Sequence, residues 1–220
     1  ELENLNPNSK INAGFAISNL LHKEGKFKES AKYLKIANDE SIKYKKSDLS
    51  LKIKHTEFYR SLKIKNSKNK NLKNSSDYIF IVGMPRSGST LLENILSLNP
   101  EVTDMGEVNF LEESIKEAKD FEDVYDLYEK KVINQFQSSI IYTDKSLFNY
   151  MYCAVISNFF PKAKIINCIR NPLDNILSIY RANFLKQSFS FSLTDISSLY
   201  VNYFETMEEY KIKYGENIYD

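Results

Sequence analysis

The sequence predicts an α/β fold of three layers, a parallel sheet flanked by helices, with a small all-helical annex on its N-terminal side. Three observations predict it. After residue 77, short apolar runs alternate with helical patterns, the signature of a parallel sheet covered on both faces. The first of these runs ends in a glycine-containing loop that leads straight into an apolar helix. Before residue 65, apolar residues recur only at helical spacing. The length agrees, since 220 residues with 42% apolar and 13% aromatic side chains can bury one full core and a small appendage.

In the annex, Ile11, Phe15, Ile17, Leu20 and Leu21, then Phe27, Ala31, Leu34, Ile36 and Ala37, form two helical runs with Gly25 between them. This is a helix pair. Gly25, Phe27, Ser30, Leu34 and Ala37 resemble the second half of a tetratricopeptide repeat, in which small residues let two helices approach closely. The first half departs from that pattern, with Gly14 where an aromatic is usual, and a plain helical hairpin is the alternative. A third helix over 49–64 completes an annex of residues 1–64. Residues 65–77, crowded with Lys, Asn and Ser, read as a linker.

The domain proper is residues 78–220. A strand is predicted at 78–82, a helix at 88–98, a short extended stretch after Pro100 and helical structure over 108–136. A strand at 139–143, a helix at 148–160 and a strand at 164–169 follow. Pro172 then opens another helix, as proline does at a first helical position, and 193–214 is helical again. The chain does not begin with Met, and Gly215 turns into a new extended segment at 218–220, so it reads as a C-terminally incomplete fragment.

Composition excludes several functions. A formal net charge of +1 leaves no basic field for nucleic acid. The two cysteines, Cys153 and Cys168, sit in apolar runs without metal or redox spacing, and no metal site is expected. No apolar stretch approaches the ~20 residues of a membrane span, and the first residues do not resemble a secretory signal. The visible chain is therefore expected to be soluble and cytoplasmic.

The functional signal begins at Gly83. The strand runs into Gly83-Met-Pro85-Arg86-Ser87-Gly88-Ser89-Thr90 and then a helix, a geometry that aims backbone N–H groups and a helix N-terminus at an anion. The GxxxxG spacing resembles the P-loop of nucleotide triphosphatases, so the sheet is expected to be P-loop-like. Ser89, however, stands where their lysine reaches the β and γ phosphates. Arg86, inside the loop, offers a forked donor instead.

A second anchor lies at Arg170, where the predicted strand 164–169 ends, with Ser178 eight residues later on the helix that Pro172 starts. An arginine leaving the carboxyl end of a parallel strand stands at the crevice where open α/β sheets bind ligands. Only four arginines occur, at positions 60, 86, 170 and 181, and two of them occupy these proposed anion contacts.

Together, Pro85, Arg86, Ser87, Gly88, Ser89 and Thr90 with Arg170 and Ser178 resemble the cofactor-binding motifs of sulfotransferases that use 3′-phosphoadenosine 5′-phosphosulfate (PAPS). The resemblance implies that the loop holds the 5′-phosphosulfate and that Arg170 and Ser178 grip the 3′-phosphate. Sulfuryl transfer by in-line displacement needs a base for the acceptor hydroxyl and support for the departing phosphate. The two histidines, His22 and His55, lie in the annex and are poor candidates, which leaves a carboxylate.

Glu107, after Gly106 and twenty-one residues beyond Arg86, resembles the proposed base of tyrosylprotein sulfotransferases and of bacterial relatives that fuse tetratricopeptide repeats to such a domain. Lys145, in Asp144-Lys145, resembles the lysine that steadies the leaving group. The family often has a proline two residues later, where this chain has Leu147; Asn149 matches a common family asparagine that orients the loop. The resemblance implies a hydroxyl-bearing acceptor, with a peptide or protein tyrosine as one class and a glycan, lipid or small molecule as another. It implies no requirement for a metal.

Two other readings stand beside it. Residues 140–144 could form a magnesium-holding strand of a nucleotide kinase or triphosphatase, with Asp144 as the ligand, although Ser89 in place of the lysine argues against this. A helical interaction module on a nucleotide-binding domain without turnover is the non-enzymatic alternative.

Overall fold

A computed structural model describes residues 5–64, 77–136, 139–160, 162–184 and 187–220. The linker expected over 65–77 lies outside these residues except for Asp77, which opens the first strand. Helix α1 is Pro7–Lys23; Asn6 caps it by accepting from the Ser9 amide at 2.9 Å, and Pro7 fills the first turn. Helix α2 is Phe27–Tyr44, and the two are joined through Gly25 at φ +75°. Gly14 explains why the usual aromatic is missing: a Cβ there would stand 2.9 Å from Cβ of Ala37, so the helices meet at a glycine. Ile11, Phe15, Leu34 and Ala37 form the seam, and the Oγ atoms of Ser18 and Ser30 lie 3.0 Å apart within it. Helix α3 is Leu49–Ser61.

Strand β1 is Asp77–Gly83 and α4 is Ser89–Leu96. Strand β2, only Val102–Asp104, is the extended stretch expected after Pro100. The helical region expected over 108–136 divides into α5, Phe110–Glu117, and α6, Val124–Gln135, with Ala118 extended between them. Strand β3 is Ile141–Asp144. The helix expected at 148–160 begins instead as a 3-10 turn, Leu147–Tyr152, and becomes α7 only over Cys153–Phe159. Asn149, Tyr150, Met151 and Tyr152 are all buried there, so the segment has no solvent face to give it a helical period. Strand β4 is Lys164–Cys168, α8 is Pro172–Tyr180, α9 is Leu193–Tyr214, and β5, Ile218–Tyr219, is the extended segment expected after Gly215.

Among the described residues, five strands pair in parallel, in the order β2-β3-β1-β4-β5. The central strand β1 is apolar on both faces, as a strand covered on both sides must be. Its Tyr78 and Phe80 pack with Tyr128 and Phe160 in edge-on contacts with ring centres 5.2–6.2 Å apart, together with a tilted pair. The carboxyl ends of β1, β2, β3 and β4 share one edge of the sheet, and every chemical motif of the sequence starts there.

The packing groups the chain into two units that do not follow chain order. One holds residues 1–54 and 171–202, the other 55–170 and 203–220. In the first, α8 packs with the N-terminal hairpin. The Nδ2 of Asn38 donates to the Tyr180 carbonyl at 3.2 Å, and Nη1 of Arg181 meets Nε2 of His22 at 2.7 Å. Asp48 holds the 3-10 turn Ser188–Phe191 through the Ser188 hydroxyl and the Phe189 amide, at 2.9 and 2.8 Å. The second unit contains the sheet. No described helix is long and apolar enough to cross a membrane.

Candidate active site at the carboxyl edge of the sheet

The loop after β1 is shaped by its backbone. Arg86 has φ +68°, the only positive φ among described non-glycine residues, and Gly88 caps α4 at φ +105°. A Cβ on Gly88 would touch nothing within 4 Å, so this glycine serves the turn and not the space. Gly83, at φ +143°, needs space as well: a Cβ would come within 2.8 Å of the Cys168 carbonyl, because Gly83 pairs with Cys168 across β1 and β4. No side chain caps α4, so the first-turn amides of Ser89, Thr90 and Leu91 face the loop unclaimed by a capping group. Ser87 places its Oγ out of contact with solvent and without a hydrogen-bond partner, and Ser89 and Pro85 are buried. A shielded hydroxyl without a partner beside helix N-terminal donors is what an anion-binding loop requires.

Arg170, just beyond β4, reaches this loop. Its Nη1 donates to the Arg86 carbonyl at 3.1 Å, so the second anchor and the loop meet although they lie 84 residues apart. Ser178 lies on α8, in the first unit, and is half-buried.

Glu107 and Lys145 also meet. Beyond β2 and β3 the chain continues the parallel ladder: the Met105 amide donates to the Thr143 carbonyl at 3.0 Å, and the Lys145 amide to the Gly106 carbonyl at 2.9 Å. The Ser146 hydroxyl bonds the Val108 carbonyl as a third stitch. Gly106, at φ +65°, turns the chain between them. The result brings Nζ of Lys145 within 3.1 Å of Oε1 of Glu107. The two differ in setting, since the lysine side chain is 7% exposed and the glutamate 70%.

Asp144, one residue before that lysine, is buried, and both of its carboxylate oxygens are taken. The Tyr128 hydroxyl donates to Oδ2 at 3.0 Å; the Ser146 amide and Asn149 Nδ2 donate to Oδ1 at 2.9 and 3.2 Å. Burial pushes its pKa up to about 7 against the opposing pull of these donors. A carboxylate filled by internal donors organises its loop, and the magnesium-holding role is not the one its environment fits. Asn149, the asparagine that the resemblance singled out, is buried and bonds to this carboxylate.

Sequence reasoning missed Glu93. It is 3% exposed on α4, accepts from Oγ1 of Thr143 at 3.0 Å and lies 3.8 Å from Nζ of Lys145. The available signal was an acid flanked by Leu91, Leu92, Ile95 and Leu96.

A model of the sulfotransferase domain matches residues 76–218. The chain belongs to the sulfotransferase family. The matched segment contains the sheet, the loop at Gly83, the Glu107–Lys145 pair, Arg170 and Ser178. An uncharacterized protein of Aquifex aeolicus is 26% identical over an alignment of 243 positions that covers 96% of this chain. The chain spans about a third, 32%, of that relative's length. Within the sulfotransferase domain, β1 leads into the loop that carries Arg86, Lys145 follows its neighbour β3, and Arg170 lies just beyond its other neighbour β4.

Proposed function

We propose that this sulfotransferase domain uses PAPS as donor and transfers its sulfuryl group to an acceptor hydroxyl. The observation that carries the reading is the distribution of positive charge. The loop lacks the lysine of triphosphate-binding loops, and a buried lysine, Lys145, emerges instead from β3, the direct neighbour of β1. The residues fit the donor: the shielded Ser87 hydroxyl, the uncapped start of α4 and the Arg170 guanidinium at the loop form an anion cradle.

In this reading, Pro85, Arg86, Ser87, Gly88, Ser89 and Thr90 hold the 5′-phosphosulfate, and Arg170 with Ser178 holds the 3′-phosphate. PAPS supplies an activated sulfuryl group and a bisphosphate that leaves. Glu107, well exposed and ion-paired through one oxygen to Lys145, accepts the proton of the acceptor hydroxyl. Lys145 places its charge where negative charge builds on the departing oxygen. A protein tyrosine is the acceptor class we favour, on the resemblance to tyrosylprotein sulfotransferases, with the α1–α2 hairpin as one unit of a peptide-binding repeat array.

The test uses the full-length protein with sulfur-labelled PAPS, offered tyrosine-containing peptides beside glycans and small phenols. Label on the peptides is the expected outcome. Label on glycans alone would remove the tyrosine assignment, and no label on any acceptor from a protein that binds the donor would remove the transfer.

A further inference from the structure

The proposed mechanism leaves Glu93 without a role, although a buried carboxylate is costly unless donors and a countercharge surround it. Glu93 has both. Thr143 Oγ1 donates to it at 3.0 Å, and Nζ of Lys145 stands at ion-pair distance, 3.8 Å, from Oε2. These partners belong to β3 and to the site lysine that follows it. Glu93 itself rides on α4, the helix that follows the loop at Gly83. One carboxylate thus ties α4 to β3 and to Lys145. Burial raises its pKa above the ordinary carboxylate value, opposed by the Thr143 hydrogen bond and the Lys145 charge.

Lys145 is shared between two acids of opposite character. Glu107 is 70% exposed in its side chain, and Glu93 only 5%. A general base loses its charge when it takes up a proton, so the Lys145–Glu107 pair ends at that moment. Lys145, 7% exposed, then needs another anion, because a buried ammonium without one is strongly disfavoured.

We propose that Glu93 is a positioning residue, the standing counter-ion of Lys145, which keeps the lysine fixed against α4 while Glu107 gives up its half of the pair. The second half of this statement rests on Glu107 being the base; the tie from α4 to Lys145 does not.

The test is Glu93→Gln in the full-length protein, a change that keeps shape and an acceptor oxygen but removes the charge. A buried ammonium that loses a counter-ion is disfavoured, so exchange at the Lys145 amide, which donates to the Gly106 carbonyl at 2.9 Å, is expected to quicken by about fivefold or more. Turnover is expected to fall at least about tenfold at saturating donor, with the acceptor KM and the affinity for 3′-phosphoadenosine 5′-phosphate each within about threefold of wild type. Unchanged exchange at the Lys145 amide overturns the proposal, whatever the protein binds. Parallel loss of bisphosphate affinity and turnover also overturns it, since that pattern belongs to collapse of the loop. A wild-type protein that does not bind the bisphosphate would instead defeat the donor reading, and exchange at Lys145 would still decide the tie. If Glu93→Gln does not fold, Thr143→Val is read in its place: it deletes one donor to Glu93 and is expected to move Lys145 amide exchange and turnover the same way by a smaller factor, with no change in either overturning the proposal.

Discussion

Nζ of Lys145 stands 3.1 Å from Oε1 of Glu107 across a separation of 38 residues. The two meet because β2 and β3 are parallel neighbours whose ladder continues past their ends, through Met105–Thr143 and Gly106–Lys145. A short, three-residue edge strand is thus enough to deliver an acid to a lysine at the edge where the loop at Gly83 also begins.

Glu107→Gln removes the proposed base and leaves an acceptor for the Lys145 ammonium. Turnover is expected to fall by about 10²- to 10⁴-fold, while calorimetry finds the bisphosphate bound as in wild type. Unchanged turnover would take Glu107 out of the mechanism.

Arg170 both braces the loop through the Arg86 carbonyl and is assigned the 3′-phosphate. Wild type should prefer 3′-phosphoadenosine 5′-phosphate over its 3′-dephosphorylated analogue, and Arg170→Ala should abolish that preference. Arg170→Lys should not restore it, since a point charge lacks the forked donor geometry. Equal affinities in the wild type would refute the assignment.

Gly88 needs backbone freedom alone, and Gly83 needs that freedom and space together. Gly88→Ala meets no atom but must hold a left-handed φ, at a cost of about 1–2 kcal/mol. Gly83→Ala adds a collision with the Cys168 carbonyl at 2.8 Å and should cost roughly 2–5 kcal/mol. Urea unfolding measures both, and the reverse order would contradict this account of the loop.

Asp144 predicts a pH dependence of stability. Its folded-state pKa of about 7 lies above the ordinary aspartate value of 3.8, so between those values the native state binds the extra proton. Stability contributed by this group is therefore full at the acid end and declines as pH rises toward 7, by up to about 1.4 kcal/mol per pH unit. Asp144→Asn should flatten that decline. A variant whose unfolding free energy falls as steeply as the wild type over the same range would show that another group titrates there.

The features legible in the sequence were the local ones. Strand β1, its loop and α4 were readable because a continuous apolar run, two glycines and a helix follow one another within twenty residues. Family membership was legible from the loop together with Arg170 and Ser178. Long-range packing was not: α8 groups with the N-terminal hairpin through Asn38–Tyr180 and His22–Arg181, contacts that no periodicity encodes. The 3-10 turn at Leu147–Tyr152 was hidden because wholly buried residues give no amphipathic period. Glu93 was hidden for the opposite reason, since an acid on a helix is ordinarily read as solvent-facing, and only the meeting of α4, Thr143 and Lys145 buries it.

The most direct test of the donor assignment is calorimetric titration of the full-length protein with 3′-phosphoadenosine 5′-phosphate in the absence of magnesium, with ATP, with and without magnesium, as comparator. Tight binding of the bisphosphate and no response to ATP is the predicted result. Magnesium-dependent binding of ATP, with no affinity for the bisphosphate, would contradict it.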